Sequence, residues 1–217
     1  MTQEQSPFWA NELKKMGALR IHDGNPRRPH AKLTSGKCSN GFFNGSKVIE
    51  NPGRLKEICT LILANNLNDL VQKESNRIRI DRVVGSAFGA ITMAHVMASL
   101  LKAKTGFTED PDQKKERMEL KRFSVAGEKV LAVEDVVTTG DTTRKTIAGL
   151  EKKGAKVLPV IVTLVNRSDM TDTDGRKIIA FIDHPMPEWE PSECPLCKQG
   201  SKPLRPKGNW DALNADY

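Results

Sequence analysis

Apolar residues fall into short runs that alternate with longer stretches of helical spacing. The short runs predict strands at residues 80–87, 130–133, 157–165 and 178–183. The helical spacings predict helices at residues 7–16, 55–66 and 90–102, and one more that ends near residue 153. Near-continuous apolar strands are typical of parallel sheets buried on both faces. The pattern therefore predicts an α/β fold in which helices flank a parallel sheet.

The hood, the N-terminal region of about residues 1–52, has a different pattern. Glycine-containing turn pairs at residues 35–36 and 40–41 flank short β segments, which indicates a hairpin-like piece that ends in Phe42 and Phe43. Adjacent residues of a strand point to opposite faces of its sheet. At most one of these two rings is therefore expected in the core.

Residues 129–145 combine a strand, two acids, a turn and a helix start. Glu134 and Asp135 follow the apolar run, where we expect the strand to end. Ligands of open α/β sheets bind at the carboxyl ends of strands, so this order describes a binding site. The small-residue turn at residues 138–142 offers amides, hydroxyls and a helix N-terminus to a phosphate. The acids would repel a phosphate and suit ribose hydroxyls or a Mg²⁺ ion instead.

Length and composition limit the classes of protein. With 217 residues the chain can bury one good core, and we expect one domain made of the hood, a core (about residues 53–183) and a tail (about residues 184–217). No apolar run reaches the roughly 20 residues of a membrane span, and we expect no signal peptide. Four cysteines make no disulfide framework, which favours the reducing cytoplasm. The net charge of +7 is scattered, so nucleic acid is not an expected partner.

The stretch at residues 129–145 resembles the phosphoribosyl-pyrophosphate (PRPP) motif of the type I phosphoribosyltransferases: four apolar residues, two acids, two apolar residues and T-T-G-x-T. The resemblance implies that fold, with the hood and a C-terminal extension added. A second strand, turn and helix at residues 80–102 carries the glycine-bearing turn that meets pyrophosphate in this family. The residues that the resemblance assigns to PRPP are Glu134, Asp135, Val136, Val137, Thr138, Thr139, Gly140, Asp141 and Thr142, with Ser86, Ala87 and Gly89 from the second turn.

Two further features resemble orotate phosphoribosyltransferases. The hood string S-G-[RK]-x-S-x-x-[FY]-[FY] ends at Phe42 and Phe43, and Arg167 follows an apolar strand within L-x-[DN]-R. The resemblance implies that the rings lie against a pyrimidine. A guanidinium can form a two-pronged pair with a planar carboxylate, which orotate carries. The residues that the resemblance assigns to orotate are Thr138, Arg167, Phe42 and Phe43.

A polar stretch at residues 104–125, the flap, precedes the PRPP motif. It has few apolar residues, which indicates a mobile segment over a site, although a charged run is also the usual sign of a solvated face. Related enzymes close a basic loop here. With the acid pair Glu134 and Asp135, the resemblance makes Lys115 and Arg117 the candidate catalytic residues.

The resemblance thus implies transfer of the 5-phosphoribosyl group from PRPP to orotate, with Mg²⁺ as cofactor, in a homodimer, and the cysteine usage favours the cytoplasm. A purine phosphoribosyltransferase and a non-catalytic nucleotide-binding regulator on the same fold are the alternatives. The tail adds Cys194 and Cys197 in a C-x-x-C pair, which supplies two of the four ligands of a zinc knuckle. A second knuckle across a dimer, or His184, would be needed to complete such a site.

Overall fold

The computed structural model describes residues 5–67, 79–112, 114 and 116–215. Its helices are α1 (Gln5–Lys15), α2 (Ser46–Ile49), α3 (Pro52–Ile62, followed by a π-helical turn, Leu63–Leu67), α4 (Ala87–Leu101), α5 (Asp141–Lys152), α6 (Pro195–Lys198) and α7 (Trp210–Asn214). Its strands are β1 (Leu19–Ile21), β2 (His30–Lys32), β3 (Cys38–Ser39), β4 (Gly41–Phe43), β5 (Arg82–Ser86), β6 (Lys104–Thr108), β7 (Lys129–Val137), β8 (Lys156–Asn166), β9 (Asp172–Thr173), β10 (Arg176–Asp183), β11 (Glu188–Trp189) and β12 (Pro203–Leu204).

The centre of the molecule is a six-stranded sheet in the order β6-β5-β7-β8-β10-β9. Its first five strands run parallel, and only the short β9 is antiparallel to its neighbour. The predicted parallel α/β fold is therefore confirmed. One strand differs from the prediction, because β7 does not end at the acid pair but continues in parallel register with β8 as far as Val137.

Helices cover both faces of this sheet. On one face, buried side chains of α1, α3 and α4 form the main core with β7 residues Leu131 and Val133. On the other face, α5 places Ile147 beside Ala132 and Leu150 beside Val130 in two smaller clusters. The alternation of these four β7 residues between the faces is the two-residue period of a strand.

The hood and the tail form one small sheet rather than two separate regions. Strands β2 and β3 pair as an antiparallel hairpin, and the tail adds β11 to one edge and β12 to the other. Strand β4 does not join this sheet but pairs with β1, so the second turn pair at residues 40–41 passes between sheets instead of closing a hairpin. Phe43 is buried in the main core and Phe42 is half-buried, in agreement with the expectation that at most one ring is core.

The flap is better anchored than its polar composition suggested. Its first part is β6 of the main sheet, and an isolated bridge then joins Glu109 to Glu119. Met118, Leu120 and Val125 are buried, the last two against Val84 and Leu150 in a smaller cluster. The prediction of a segment nearly without apolar anchors is therefore wrong at both ends of the flap. The described residues between the two bridged glutamates are largely exposed and form its tip.

Within the described residues, the structure contains no helix that is both long enough and apolar enough to cross a lipid bilayer.

Candidate active site

The two acids of the PRPP motif are consecutive residues of a continuous strand, so their side chains leave β7 from opposite faces, although their carboxyl groups remain close enough to interact. The Asp135 carboxylate points towards α4 and the hood. A Cβ built on Gly89 would lie 2.2 Å from its Oδ2 atom, and a Cβ built on Gly45 would lie 3.0 Å from the same atom. Only a residue without a side chain fits beside this carboxylate at position 89. The glycine of the second turn is thus required by the acid of the first.

Glu134 is buried on the face that carries α5 and is only 5% exposed. Its Oε1 accepts the Asp135 amide at 3.2 Å, whereas its Oε2 has no hydrogen-bond partner among the described residues. The Ser86 hydroxyl, at the end of the neighbouring β5, also has no hydrogen-bond partner among the described residues. Buried polar atoms without partners are rare in proteins, and here two of them lie at the carboxyl ends of adjacent strands.

Burial raises the pKa of both acids. For Glu134 the pKa lies well above its ordinary value because the side chain is buried, and the nearby Asp135 charge raises it further. For Asp135 burial also raises the pKa, although the neighbouring Glu134 side chain and the backbone amide of Val136, which donates to Asp135 Oδ1 at 2.9 Å, oppose the shift. Two acids held in this way favour a cation or hydroxyl donors beside them, since either relieves the cost of the buried charge.

The turn after β7 offers free donors to an anion. Thr138 and Thr139 are exposed, and Gly140 has a φ of 70°, a left-handed conformation that lets α5 begin directly after it. The backbone amides of these three residues donate to no group within the described residues. A side chain of α5 holds the turn in place, because Arg144 donates a hydrogen bond to the Thr139 carbonyl at 3.0 Å. Free amides at a helix N-terminus form a phosphate site.

Asp141 and Thr142 form the exposed first turn of α5. A carboxylate here would repel a phosphate, but Lys145 lies one helical turn later with its Nζ 2.5 Å from Asp141 Oδ2. The ion pair reduces the negative field at the turn. Val136 and Val137, which the resemblance also assigns to PRPP, still belong to β7, and the Val137 side chain is buried.

The second predicted turn lies where β5 passes into α4. Ser86 is the N-cap residue of this helix and is 1% exposed, and Ala87 is the first helical residue. The turn stands directly beside β7, since β5 and β7 are hydrogen-bonded neighbours in the sheet. The structure therefore brings both sequence-predicted turns to the same edge.

Arg167 and Thr138 line one cleft of about 320 Å³, whose other wall comes from the segment leading into β11. The Arg167 side chain is buried. Its Nη2 donates to Ser39 Oγ at 3.4 Å and lies 3.8 Å from a Glu188 carboxylate oxygen, while its Nε has no partner among the described residues. Burial lowers the pKa of the guanidinium, and Glu188 partly opposes this shift. The ion pair is made with Glu188 and not with the nearby Asp169.

Only one of the two hood aromatics lies near this cleft. The Arg167 guanidinium carbon is 6.0 Å from the centre of the Phe42 ring, which also contacts Trp210 of α7 at a centroid distance of 5.7 Å. Phe43 packs in the core and is 4% exposed. The structure thus brings Phe42, and not Phe43, beside Arg167.

Of the two flap cations, only Arg117 lies within the described residues. Arg117 lies on the exposed tip, paired with Asp112 at 2.9 Å and with Glu119 at 3.3 Å. Lys115 lies outside the described residues. The tail residues Cys194 and Cys197 lie on the hood beside His30 and Cys38, and His184 is not part of that cluster.

The arrangement matches a known family. A family model described as the phosphoribosyl transferase domain matches residues 59–190. The orotate phosphoribosyltransferase of Acidithiobacillus ferrooxidans is 34% identical over 191 residues, which cover 87% of this chain and 93% of that protein. The chain belongs to the orotate phosphoribosyltransferase family. The protein of the same name from Chlorobium phaeobacteroides is 37% identical over 175 residues, 79% of this chain and 83% of that protein.

Solved structures agree on the fold. The crystal structure of orotate phosphoribosyltransferase from Aeropyrum pernix aligns with a TM-score of 0.62 and 22% identity, over 80% of this chain and 92% of that one. A crystal structure of adenine phosphoribosyltransferase aligns with a TM-score of 0.58 and 17% identity, over 80% and 99% of the two chains. Since both kinds of enzyme share the fold, the fold does not distinguish the base that is used.

Proposed function

We propose that the protein transfers the 5-phosphoribosyl group of PRPP to orotate, giving orotidine 5'-phosphate and pyrophosphate. The observation that carries this proposal is the buried Arg167, which shares one cleft with Thr138 of the PRPP motif. Orotate has a carboxylate and the purine bases do not. The names of the curated relatives support the same substrate.

The residues act by binding and orientation. The turn after β7 would hold the 5-phosphate through its free amides, and the positive end of the α5 dipole favours the same charge. Glu134 and Asp135 would accept hydrogen bonds from the ribose hydroxyls, close to the carbon at which the bond to pyrophosphate breaks. Carboxylates held beside that carbon stabilise the positive charge that develops there. Orotate is itself the nucleophile, so the protein needs no covalent intermediate.

The acid pair also fits the Mg²⁺ that the resemblance implies. The partnerless Oε2 of Glu134 and the half-buried carboxylate of Asp135 are hard oxygen donors, which Mg²⁺ prefers. When bound with PRPP, Mg²⁺ neutralises charge on the pyrophosphate. These two residues would hold it, directly or through the ribose hydroxyls.

Orotate would lie in the cleft with its carboxylate on Arg167 and its ring towards Phe42. The second turn, at Ser86, Ala87 and Gly89, would face the pyrophosphate. The flap residues Lys115 and Arg117 would approach the leaving group when the flap closes, which requires Arg117 to give up its two exposed ion pairs. Exposed pairs of this kind contribute little to stability, so the cost of releasing them is small.

The deciding experiment measures pyrophosphate release from PRPP with four bases: orotate, adenine, guanine and hypoxanthine. We expect pyrophosphate release with orotate and with none of the three purine bases. The double variant Glu134→Gln/Asp135→Asn, purified in the same way, should release none, which excludes a contaminating enzyme as the source. Release with a purine and not with orotate would refute the proposed substrate, and no release with any base would favour a regulator.

We also propose that the enzyme works in the cytoplasm as a homodimer, as the resemblance implies. None of the four cysteines forms a disulfide in the structure, in keeping with a reducing compartment. Light scattering of the purified protein should give twice the mass of one chain. A mass of one chain at the concentrations used in the assay would refute the dimer.

A further inference from the structure

A second cluster of reactive side chains lies between the hood and the tail. His30 on β2, Cys38 on β3, and Cys194 and Cys197 at the start of and within α6 place one ligand atom each within 4.8 Å of all the others. His30, Cys38 and Cys194 are almost fully buried, and Cys197 is half-buried. All four residues lie outside the segment matched by the family model, residues 59–190.

Three of the six distances between these atoms match the edges of a tetrahedron around a zinc ion, and the other three are no longer than 4.8 Å. Zinc lies about 2.3 Å from sulfur and about 2.0–2.1 Å from nitrogen, so a regular tetrahedron has edges of about 3.8 Å between sulfurs and about 3.6 Å between sulfur and nitrogen. In the structure Cys38 Sγ and Cys197 Sγ are 3.7 Å apart. His30 Nε2 is 3.6 Å from Cys194 Sγ and 3.5 Å from Cys197 Sγ. A disulfide would require sulfurs about 2.05 Å apart.

Hydrogen bonds around the cluster prepare His30 as a ligand. Ser201 Oγ donates to the Arg28 carbonyl at 2.7 Å, so the same oxygen is able to accept a hydrogen bond from His30 Nδ1, 2.8 Å away. With its proton on Nδ1, the ring turns the lone pair of Nε2 towards the three sulfurs. A partner that fixes the tautomer in this way is the usual support of a metal-bound histidine. The Cys197 amide also approaches Cys194 Sγ at 3.5 Å.

We propose that His30, Cys38, Cys194 and Cys197 bind one zinc ion in a closed structural site. Three thiolates and an imidazole in tetrahedral array are a preferred donor set of zinc. All four positions are taken by protein groups, so no position is open for a substrate or a reactive water. The site is therefore not catalytic.

The fold shows what such an ion would hold together. The sheet that joins hood and tail has strands of only two or three residues, and short strands without a large core are only marginally stable. A metal ion bound to residues from both regions would supply the missing stability, because its binding free energy adds to that of folding. Cys38 also precedes Ser39, which contacts Arg167, so the ion would brace one wall of the cleft.

The first test uses the purified full-length protein without added metal. Elemental analysis should find about one zinc per chain, and X-ray absorption should show about three sulfurs at about 2.3 Å and one nitrogen at about 2.0 Å. Cobalt exchanged into the protein should show the visible bands of a tetrahedral thiolate site. Protein that contains no zinc, and that takes up neither zinc nor cobalt after reduction of its thiols, would overturn the proposal.

The second test compares variants by their response to a chelator. The wild type should lose thermal stability when zinc is removed. Cys197→Ser should start at a lower Tm and should not respond to the chelator, because it has already lost the ion. Ser201→Ala should keep the site and weaken zinc binding by about tenfold to 100-fold.

Cys59→Ala is the matched control, since Cys59 is a buried cysteine on α3 that packs in the main core and is not one of the four proposed zinc ligands. It should keep its zinc and respond to the chelator as the wild type does, whatever the packing change costs in Tm. A Cys197→Ser protein with full zinc content would contradict the assignment of its ligands. None of these measurements depends on the enzyme activity.

Discussion

Replacement of Arg167 by alanine tests the proposed base specificity most directly. Within the described residues, the polar contacts of the guanidinium are a long hydrogen bond to Ser39 Oγ, at 3.4 Å, and an ion pair with Glu188 at 3.8 Å. Its Nε has no partner among the described residues. The donors are thus poorly used without a ligand, and a substrate carboxylate is the group that would use them.

The size of the effect follows from these contacts. A hydrogen bond to a charged group contributes about 1.5–3 kcal/mol. At about 1.36 kcal/mol per factor of ten, the loss of one such bond should lower kcat/KM for orotate by about tenfold to about 150-fold. Loss of both bonds of a two-pronged pair would give a larger effect. Arg167→Lys should restore only part of the activity, because an ammonium group cannot form the two parallel bonds.

The assay measures kcat/KM for orotate by pyrophosphate release and the Kd of PRPP by calorimetry. PRPP affinity should barely change, because Arg167 follows β8 whereas the PRPP turn follows β7. Arg54→Ala is a suitable control, since Arg54 forms an exposed ion pair with Glu57 on α3. If Arg167→Ala used orotate as well as the wild type, the role of Arg167 would be refuted and a purine substrate would become the better interpretation.

Three further predictions concern the PRPP site. The double variant Glu134→Gln/Asp135→Asn should be inactive yet folded, and its free energy of unfolding at neutral pH should exceed that of the wild type, because it no longer buries two acids with raised pKa values. Gly89→Ala should weaken PRPP binding and cost about 1–3 kcal/mol of stability, since its Cβ would lie 2.2 Å from the Asp135 carboxylate. The flap, residues 104–125, should be the internal segment that proteases cut first, with cuts at its tip, and PRPP with Mg²⁺ should protect it.

The pH dependence of the acid pair has a definite sign. An acid whose pKa is higher in the folded than in the unfolded protein gives the folded state more bound protons between the two values. The contribution of the acid pair to the free energy of unfolding should therefore fall as pH rises from about 4, the ordinary value for carboxyl groups. Glu128, whose pKa is lowered mainly by its hydrogen bond from Arg82, contributes with the opposite sign in both proteins. Chemical denaturation at several pH values should therefore show that the stability of the wild type relative to the double variant falls as pH rises, and equal slopes for the two proteins would contradict the shifts.

The Gly89→Ala prediction and the proteolysis prediction each have a matched control. For Gly89→Ala the control is Gly53→Ala in the first turn of α3, where the nearest atom to the added Cβ is 3.5 Å away. If Gly89→Ala bound PRPP as tightly as the wild type, the position of the Asp135 carboxylate would not matter for PRPP binding, and this prediction would be wrong. For the flap, orotate alone serves as the control ligand, and equal cleavage with and without PRPP would count against closure.

The parallel sheet was predictable from the sequence, because the buried parts of β7, β8 and β10 carry the near-continuous apolar runs that predicted these strands. The sequence also located both turns at the carboxyl edge of the sheet, since glycines and other small residues mark them at positions 85–89 and 138–142. These features are local, and the chemistry that requires them is local too.

Other features were decided only by the tertiary structure. The acids lie within β7 rather than at its end, because pairing with β8 holds the strand in register to Val137. The flap is anchored by isolated apolar residues, Leu120 and Val125, whose pocket is built by distant β5, β7 and α5. Such contacts leave no periodic pattern in the sequence.

The proposed zinc ligands show the same limit most clearly. The C-x-x-C pair of Cys194 and Cys197 was visible, but its partners His30 and Cys38 lie more than 150 residues earlier. Only the pairing of tail strands with hood strands brings them together. When ligands come from distant parts of a chain, the topology of the fold decides which of them meet. A single sequence therefore shows only the two ligands that are close together in it, Cys194 and Cys197.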